Sequence, residues 1–272
     1  MRVRPVVQEK SFSANGHNVQ MPQMRRFVLP IVAVGLVMGS GTYEATRVEP
    51  PVRSPAVLPI DTTVPNGPGV PPVSDAAREA GFVDVRTVVP DAVIDLRYAT
   101  TNNFTHTQLY PSDARCLVHQ SMAPGLAAAA TAVRPQGHLM VFWDCYRPHD
   151  IQVKMFNVAP NPAWVARPGQ YAHSHESGRS VDVTLTSVEQ PCPPDRHAGG
   201  LCLADMGTDF DDFSPRATAY ATQGVSADAQ ANRARLRDAM QYGGLSPYSG
   251  EWWHFDGPAA AVDRPILNVP VD

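Results

Sequence analysis

At 272 residues the chain is long enough for one or two domains, but its first quarter lacks the composition of a globular core. Its 26 acidic and 22 basic side chains leave a net charge of −4 with no basic stripe, which argues against nucleic acid as a partner.

Residues 27–38, Phe-Val-Leu-Pro-Ile-Val-Ala-Val-Gly-Leu-Val-Met, form an uncharged apolar run behind Arg25 and Arg26. The run is short for a membrane span and suits the core of a secretory signal peptide, with Gly39-Ser40-Gly41 supplying the small residues a signal peptidase prefers. A buried helix or an uncleaved membrane anchor is the alternative, and the arginine pair is only a weak match to a twin-arginine signal. Met24 is a second candidate start, which would make residues 1–23 an upstream extension. Eight prolines between Pro50 and Pro72, without apolar periodicity, describe a semi-extended linker. The expected division is an N-terminal extension and signal peptide over 1–44, a proline-rich linker over 45–75 and a catalytic domain over 76–272, its globular core ending near 257. Such a protein is exported to the periplasm or cell exterior and meets the membrane only transiently, unless it stays anchored.

Within the domain, Ala92–Tyr98 alternates loosely and predicts a strand. Gly125–Arg134 is alanine-rich, follows Pro124 and is closed by Pro135, as a helix would be. Leu139–Trp143 and Val181–Leu185 predict short buried strands, and Glu251–Phe255 a final one. A helix starts at Ser226-Ala227-Asp228 and runs to Met240, stopping at Gly243-Gly244. No internal repeat and no regular strand–helix alternation occurs, so the class is α+β: one domain with a small central antiparallel sheet flanked by helices. Four cysteines in an exported chain predict disulfides. They allow three connectivities; Cys192–Cys202, flanking a Pro- and Gly-rich loop, is favoured, which leaves Cys116–Cys145. A second zinc site is disfavoured because no Cys-x-x-Cys occurs.

The chemistry lies in two segments, His173-Ser174-His175-Glu176-Ser177-Gly178-Arg179-Ser180-Val181-Asp182 and Glu251-Trp252-Trp253-His254. His175, Asp182 and His254 make a three-ligand set for one Zn²⁺ per chain, with the fourth position left for water and Glu251 as the base that takes the water's proton. His175 and Asp182 are seven apart and would face opposite ways on a straight strand, so Gly178 should turn the chain between them. Glu251 and His254, three apart, require a bend if both reach one site. A planar, permanently charged arginine suits the oxyanion of the transition state, and Arg147, beside Pro148, is the candidate. His173 is a weaker alternative to His175, since it stands nine residues from Asp182. His17, His106, His119, His138, His149 and His197 lack partners at metal spacing, and Trp252 and Trp253 suit packing.

These motifs resemble the D-alanyl-D-alanine dipeptidases, the VanX type of zinc peptidase within the D,D-peptidase group. That pattern is Ser-x-His-x-x-Gly-x-Ala-x-Asp followed by Glu-x-x-His. Further resemblance lies in Arg97-Tyr98-Ala99-Thr100, Asp144-Cys145-Tyr146-Arg147-Pro148, Met206-Gly207-Thr208-Asp209-Phe210-Asp211, Asn232-Arg233-Ala234-Arg235-Leu236-Arg237 and Tyr248-Ser249-Gly250 ahead of Glu251, so that it covers about 82–256. It implies zinc at His175, Asp182 and His254, Glu251 as base, Arg147 on the transition state and Asp211 on the free ammonium of the substrate. Ser174 would be a second substrate contact, and Tyr98 and Tyr110 would line the pocket. The implied substrate is the D-Ala-D-Ala dipeptide, in cell-wall peptide metabolism or glycopeptide resistance. A D,D-carboxypeptidase trimming peptidoglycan stem peptides would need no ammonium-binding aspartate, and a silent wall-binding zinc module would not need Glu251 or Arg147. Two departures stand near the metal: His173 replaces the pattern's serine and Ser180 its alanine, and a cysteine-bounded insertion occupies 191–202.

Overall fold

The structure, a computed structural model, describes residues 69–188 and 191–272; the expected signal segment and the linker up to residue 68 lie outside the described residues. In chain order the domain comprises α1 (Asp75–Glu79), β1 (Phe82–Asp84), β2 (Val93–Ile94), β3 (Leu117–His119), α2 (Ala123–Val133), β4 (Met140–Asp144), α3 (His149–Val158) and β5 (Ser180–Leu185). There follow β6 (His197–Ala198), β7 (Leu201–Cys202), α4 (Ala227–Tyr242), β8 (Ser246–Pro247) and β9 (His254–Asp256).

The fold is α+β, as expected, but its sheet is larger and less uniform than the sequence suggests. Five strands in the order β2-β4-β5-β9-β8 form one sheet, and β2 runs parallel to β4 while the other pairs are antiparallel. There are two further two-stranded ribbons, β1-β3 and β6-β7, and a bridge between Thr186 and Leu203 ties the end of β7 to the end of β5. Every residue of β4 and β5 is buried, the polar Asp144, Asp182 and Thr184 among them.

The helices follow their sequence signals. In α2 the buried positions are Leu126, Ala129, Ala130 and Val133, one stripe at helical spacing. Ser226 caps α4 by accepting from the Ala229 amide at 3.1 Å. The two helices pack together, and the contact requires glycine: a Cβ on Gly125 would stand 2.5 Å from the Gly243 carbonyl oxygen. Helix α3 has weaker signals, Pro148 at its start and Asp150 in its first turn.

Two strand expectations are shortened. Only Val93–Ile94 of the 92–98 run pairs, because Arg97–Ala99 winds into a 3-10 turn. The buried Asn103 amide holds that turn by donating to the carbonyls of Arg97, Thr100 and Thr107. Likewise only His254–Asp256 of the final run is strand, and Glu251 lies on the irregular approach to it. Both favoured disulfides, Cys116–Cys145 and Cys192–Cys202, are present.

Candidate metal centre and substrate cleft

Three neighbouring strands bring chemistry to one level of the sheet. Asp182 on β5 is the register partner of Asp144 on β4 and of His254 on β9. Directly opposed residues share a face, so Asp182 and His254 meet although they are 72 residues apart. A register irregularity between Phe142 and Asp144 ends the β4 ladder there and releases the chain towards Arg147.

His175 enters from a 3-10 turn over Ser174–Ser177 that closes at Gly178, whose φ is +63°. Glycine is required there twice over, since a Cβ would lie 2.5 Å from the Phe82 ring as well as facing the left-handed backbone. The expected turn between His175 and Asp182 is therefore present. The bend before His254 serves Glu251, whose Oε2 lies 3.9 Å from His254 Nδ1.

The donor atoms converge. His175 Nε2 lies 3.1 Å from His254 Nδ1 and 3.2 Å from Asp182 Oδ1, and His254 Nδ1 lies 3.1 Å from that oxygen. Ligands at about 2.0–2.1 Å from a tetrahedral ion stand roughly 3.3 Å apart, so the triangle fits such an ion closely. The outer nitrogens are occupied: His175 Nδ1 donates to the Cys145 carbonyl at 2.8 Å, and His254 Nε2 to Asp256 at 3.0 Å. These bonds fix the tautomers and turn both inner lone pairs towards one point, as metal-binding imidazoles require. Among the described residues this is the one group of His, Cys, Asp and Glu arranged to hold a metal.

The charges are arranged to suit a cation. Burial alone would raise Asp182, but His175 and His254 more than offset it and hold its carboxyl below the usual range. Burial opposes a charged His254, yet hydrogen bonds to Asp182 and Asp256 push its imidazole up to about 10. A proton there does the work a divalent ion does when the three donors hold one. Burial, reinforced by the charge of Asp182, pushes Glu251 up to about 7, where a base works best near neutrality.

A cleft of about 430 Å³ opens onto this centre, and Arg147, Asp211, Tyr98 and Ser174 all line it. Arg147 is buried and gripped: Nε and Nη2 donate to Asp144 Oδ2 at 3.0 and 2.6 Å, and Nη1 to Gln152 at 2.7 Å. Three of its five N–H groups are thereby used, leaving one on each terminal nitrogen. Asp211 adopts φ +56°, and its carboxylate accepts from the Tyr98 hydroxyl at 3.0 Å. Burial, with the charges of Asp182 and Glu251, raises Asp211 well above the usual carboxyl range, so the site favours a cationic partner.

Some expected contacts fall elsewhere. Tyr110 does not line the cleft; it is buried, its hydroxyl donating to Asp144 at 2.8 Å, which steadies the partner of Arg147. The Ser174 hydroxyl donates to Ser180, which donates to Asp256, so it supports the His254 partner. Ser180, noted only as a departure, is the middle of that chain. His173 lines the cleft but turns to Asp263 and stands outside the donor triangle. Sequence reasoning missed Asp144, Asp256 and Glu176. Asp256 was findable, being two residues after His254 on a strand and hence on its face. Glu176 lines the cleft and accepts from His149 at 2.5 Å. At the rim, Trp164 stacks on Phe213 with ring centroids 5.0 Å apart.

Comparison with known proteins agrees with this geometry. Residues 78–272 match the family described as D-ala-D-ala dipeptidase. The chain is 34% identical over 186 residues to a D-alanyl-D-alanine dipeptidase of Escherichia coli (strain K12), covering 68% of this chain and 89% of that protein. It is 29% identical over 218 residues to a D-alanyl-D-alanine dipeptidase of Enterococcus faecium, covering 71% of this chain and 98% of that one.

Proposed function

The chain belongs to the D-ala-D-ala dipeptidase family of M15 metallopeptidases, and on that premise we propose that it is a zinc enzyme hydrolysing the free D-Ala-D-Ala dipeptide. The observation that carries the reading is the single cleft in which a half-buried ammonium-seeking carboxylate, Asp211, faces the same space as Glu251 and Arg147.

His175, Asp182 and His254 would hold the zinc, a two-imidazole, one-carboxylate set suited to that ion. Zinc, when bound, lowers the pKa of a water to near 7 and polarises the scissile carbonyl. Asp211, steadied by Tyr98, pairs with the free α-ammonium and so sets the distance from the amino end to the bond that breaks. Glu251 accepts the proton of the attacking water and returns it to the departing amine. Arg147 presents its free N–H groups and its charge to the oxygen on which negative charge develops, held in place by Asp144 and Gln152 so that little reorganisation is needed.

Export to an oxidising compartment belongs to the same proposal, supported by two disulfides and the apolar run at 27–38. The test is hydrolysis by the zinc-loaded protein of free D-Ala-D-Ala, N-acetyl-D-Ala-D-Ala and a muramyl pentapeptide, with Glu251→Ala as control. Cleavage of the free dipeptide alone, reduced at least 100-fold in the variant, is expected. Cleavage of the blocked or longer substrates would make the enzyme a carboxypeptidase and remove Asp211 from its role.

A further inference from the structure

The two disulfides differ in what they touch. Cys192–Cys202 closes the loop around the β6–β7 hairpin, and neither cysteine lines the cleft. Cys116–Cys145 is buried at the junction of the β1-β3 ribbon with the end of β4, and both of its arms lead to the metal loop. On one arm, the Cys145 carbonyl accepts from His175 Nδ1 at 2.8 Å, and the Arg147 amide donates to the His175 carbonyl at 3.0 Å. On the other, the His119 amide donates to the Gly178 carbonyl at 2.7 Å, at the residue that closes the same loop. Between the arms, the Tyr146 amide donates to the Leu117 carbonyl at 2.8 Å. The segments 116–119 and 145–147 thus clasp residues 175–178 from two sides, and the cystine is the covalent tie between them.

We infer that the Cys116–Cys145 disulfide positions the metal-binding imidazole of His175, so that tight metal binding by this enzyme depends on an oxidised cystine. The inference rests on the zinc reading above and adds to it. Any residue at position 145 would offer a carbonyl; the bond to Cys116 fixes where that carbonyl stands. An acceptor behind a metal-ligating histidine sets its tautomer and direction, and losing such a partner typically weakens metal binding about 10- to 100-fold. Residues 116 and 145 touch no substrate and act only through His175 and its loop.

The experiment measures zinc affinity by chelator competition on the full protein, the Cys116→Ala/Cys145→Ala variant and the Cys192→Ala/Cys202→Ala variant, each checked by near-UV circular dichroism. The expected result is a 10- to 100-fold weaker zinc affinity in the first variant, unchanged affinity in the second, and recovery of kcat/KM in the first at saturating zinc. A folded first variant with wild-type affinity would overturn the inference, as would equal losses in both variants. If the first variant does not fold, the same titration is run on the Cys192→Ala/Cys202→Ala protein after a phosphine reductant and water have converted its one remaining cystine to two thiols, the phosphine leaving as its oxide. Weakened zinc affinity with retained near-UV signal supports the inference; unchanged affinity, or loss of the signal here too, assigns the bond to the whole fold and overturns it. His254→Ala separates the two readings: if it binds zinc as tightly as wild type, the zinc centre itself is wrong.

Discussion

His254 Nδ1 and Asp182 Oδ1 lie 3.1 Å apart across the β5–β9 pairing, while His254 Nε2 donates to Asp256 on its other side. One imidazole therefore sits between two carboxylates, each of which favours its protonated form. The sheet register, through Asp182 opposite His254, creates this arrangement before any ion arrives.

Metal uptake must consequently displace a proton. With His254 pushed up to about 10 in the metal-free protein, its charged form predominates at neutral pH, and zinc competes with it. Because the folded pKa is raised, the proton's stabilising contribution is complete below the ordinary histidine value and is lost as pH rises through about 10. Apparent zinc affinity should rise with pH across the neutral range, with about one proton released per ion, measured by calorimetry in buffers of different ionisation enthalpy. Asp256→Asn should weaken zinc binding about 10- to 100-fold while leaving the three ligands in place.

Asp211 should control recognition of the amino end. Asp211→Asn is expected to raise KM for the free dipeptide about 10- to 100-fold, in line with the loss of a charge-assisted hydrogen bond, with a smaller change in kcat. Its raised carboxyl value also gives a direction: ammonium binding should fade as pH falls, starting above the ordinary carboxyl range. A pH profile of KM that is flat down to that range would contradict the assignment.

Arg147 combines two roles that substitution can separate. Arg147→Ala leaves the fully buried Asp144 without its ion pair, which should cost about 3–5 kcal/mol of stability as well as rate. Arg147→Lys keeps the charge and loses the fork, so melting should change less while turnover still falls on the order of 100-fold. Paired thermal melts and steady-state kinetics on the two variants make the comparison.

Gly178→Ala tests the metal loop. The new methyl group would meet the Phe82 ring at 2.5 Å and the His119 amide nitrogen at 3.1 Å, in a backbone conformation that side chains resist. A loss of about 1–3 kcal/mol in denaturant unfolding is expected, together with reduced zinc content in whatever folds.

The grouping of His175, Asp182 and His254 beside Glu251 was legible in the sequence because the geometry of their spacing can be argued residue by residue. Helices α2 and α4 were legible for a similar reason: proline, serine and glycine mark their ends, and their apolar stripes repeat at helical spacing. The strand at 92–98 was overcalled because its alternation carries no sign of the Asn103 side chain that curls Arg97–Ala99 into a turn. Tyr110 was given to the pocket because nothing local distinguishes a hydroxyl facing a cleft from one committed to Asp144, whereas Ser174 lines the cleft while also donating to Ser180. A partner such as Asp144 appears only when strands pair, since register is a property of the sheet.

That register has a consequence for how the enzyme comes into being. Asp182 stands on β5, whereas Glu251 and His254 arrive with β9, the final strand of the sheet in chain order. During synthesis the chain emerges from its amino end, so most of the domain must be made and the sheet closed across a long sequence separation before Glu251 and His254 reach their places. Without β9 the chain holds only His175 and Asp182 of the donor triangle. The nascent peptidase is thus inert until its last strand pairs, and the onset of activity marks the late, non-local stage of its folding.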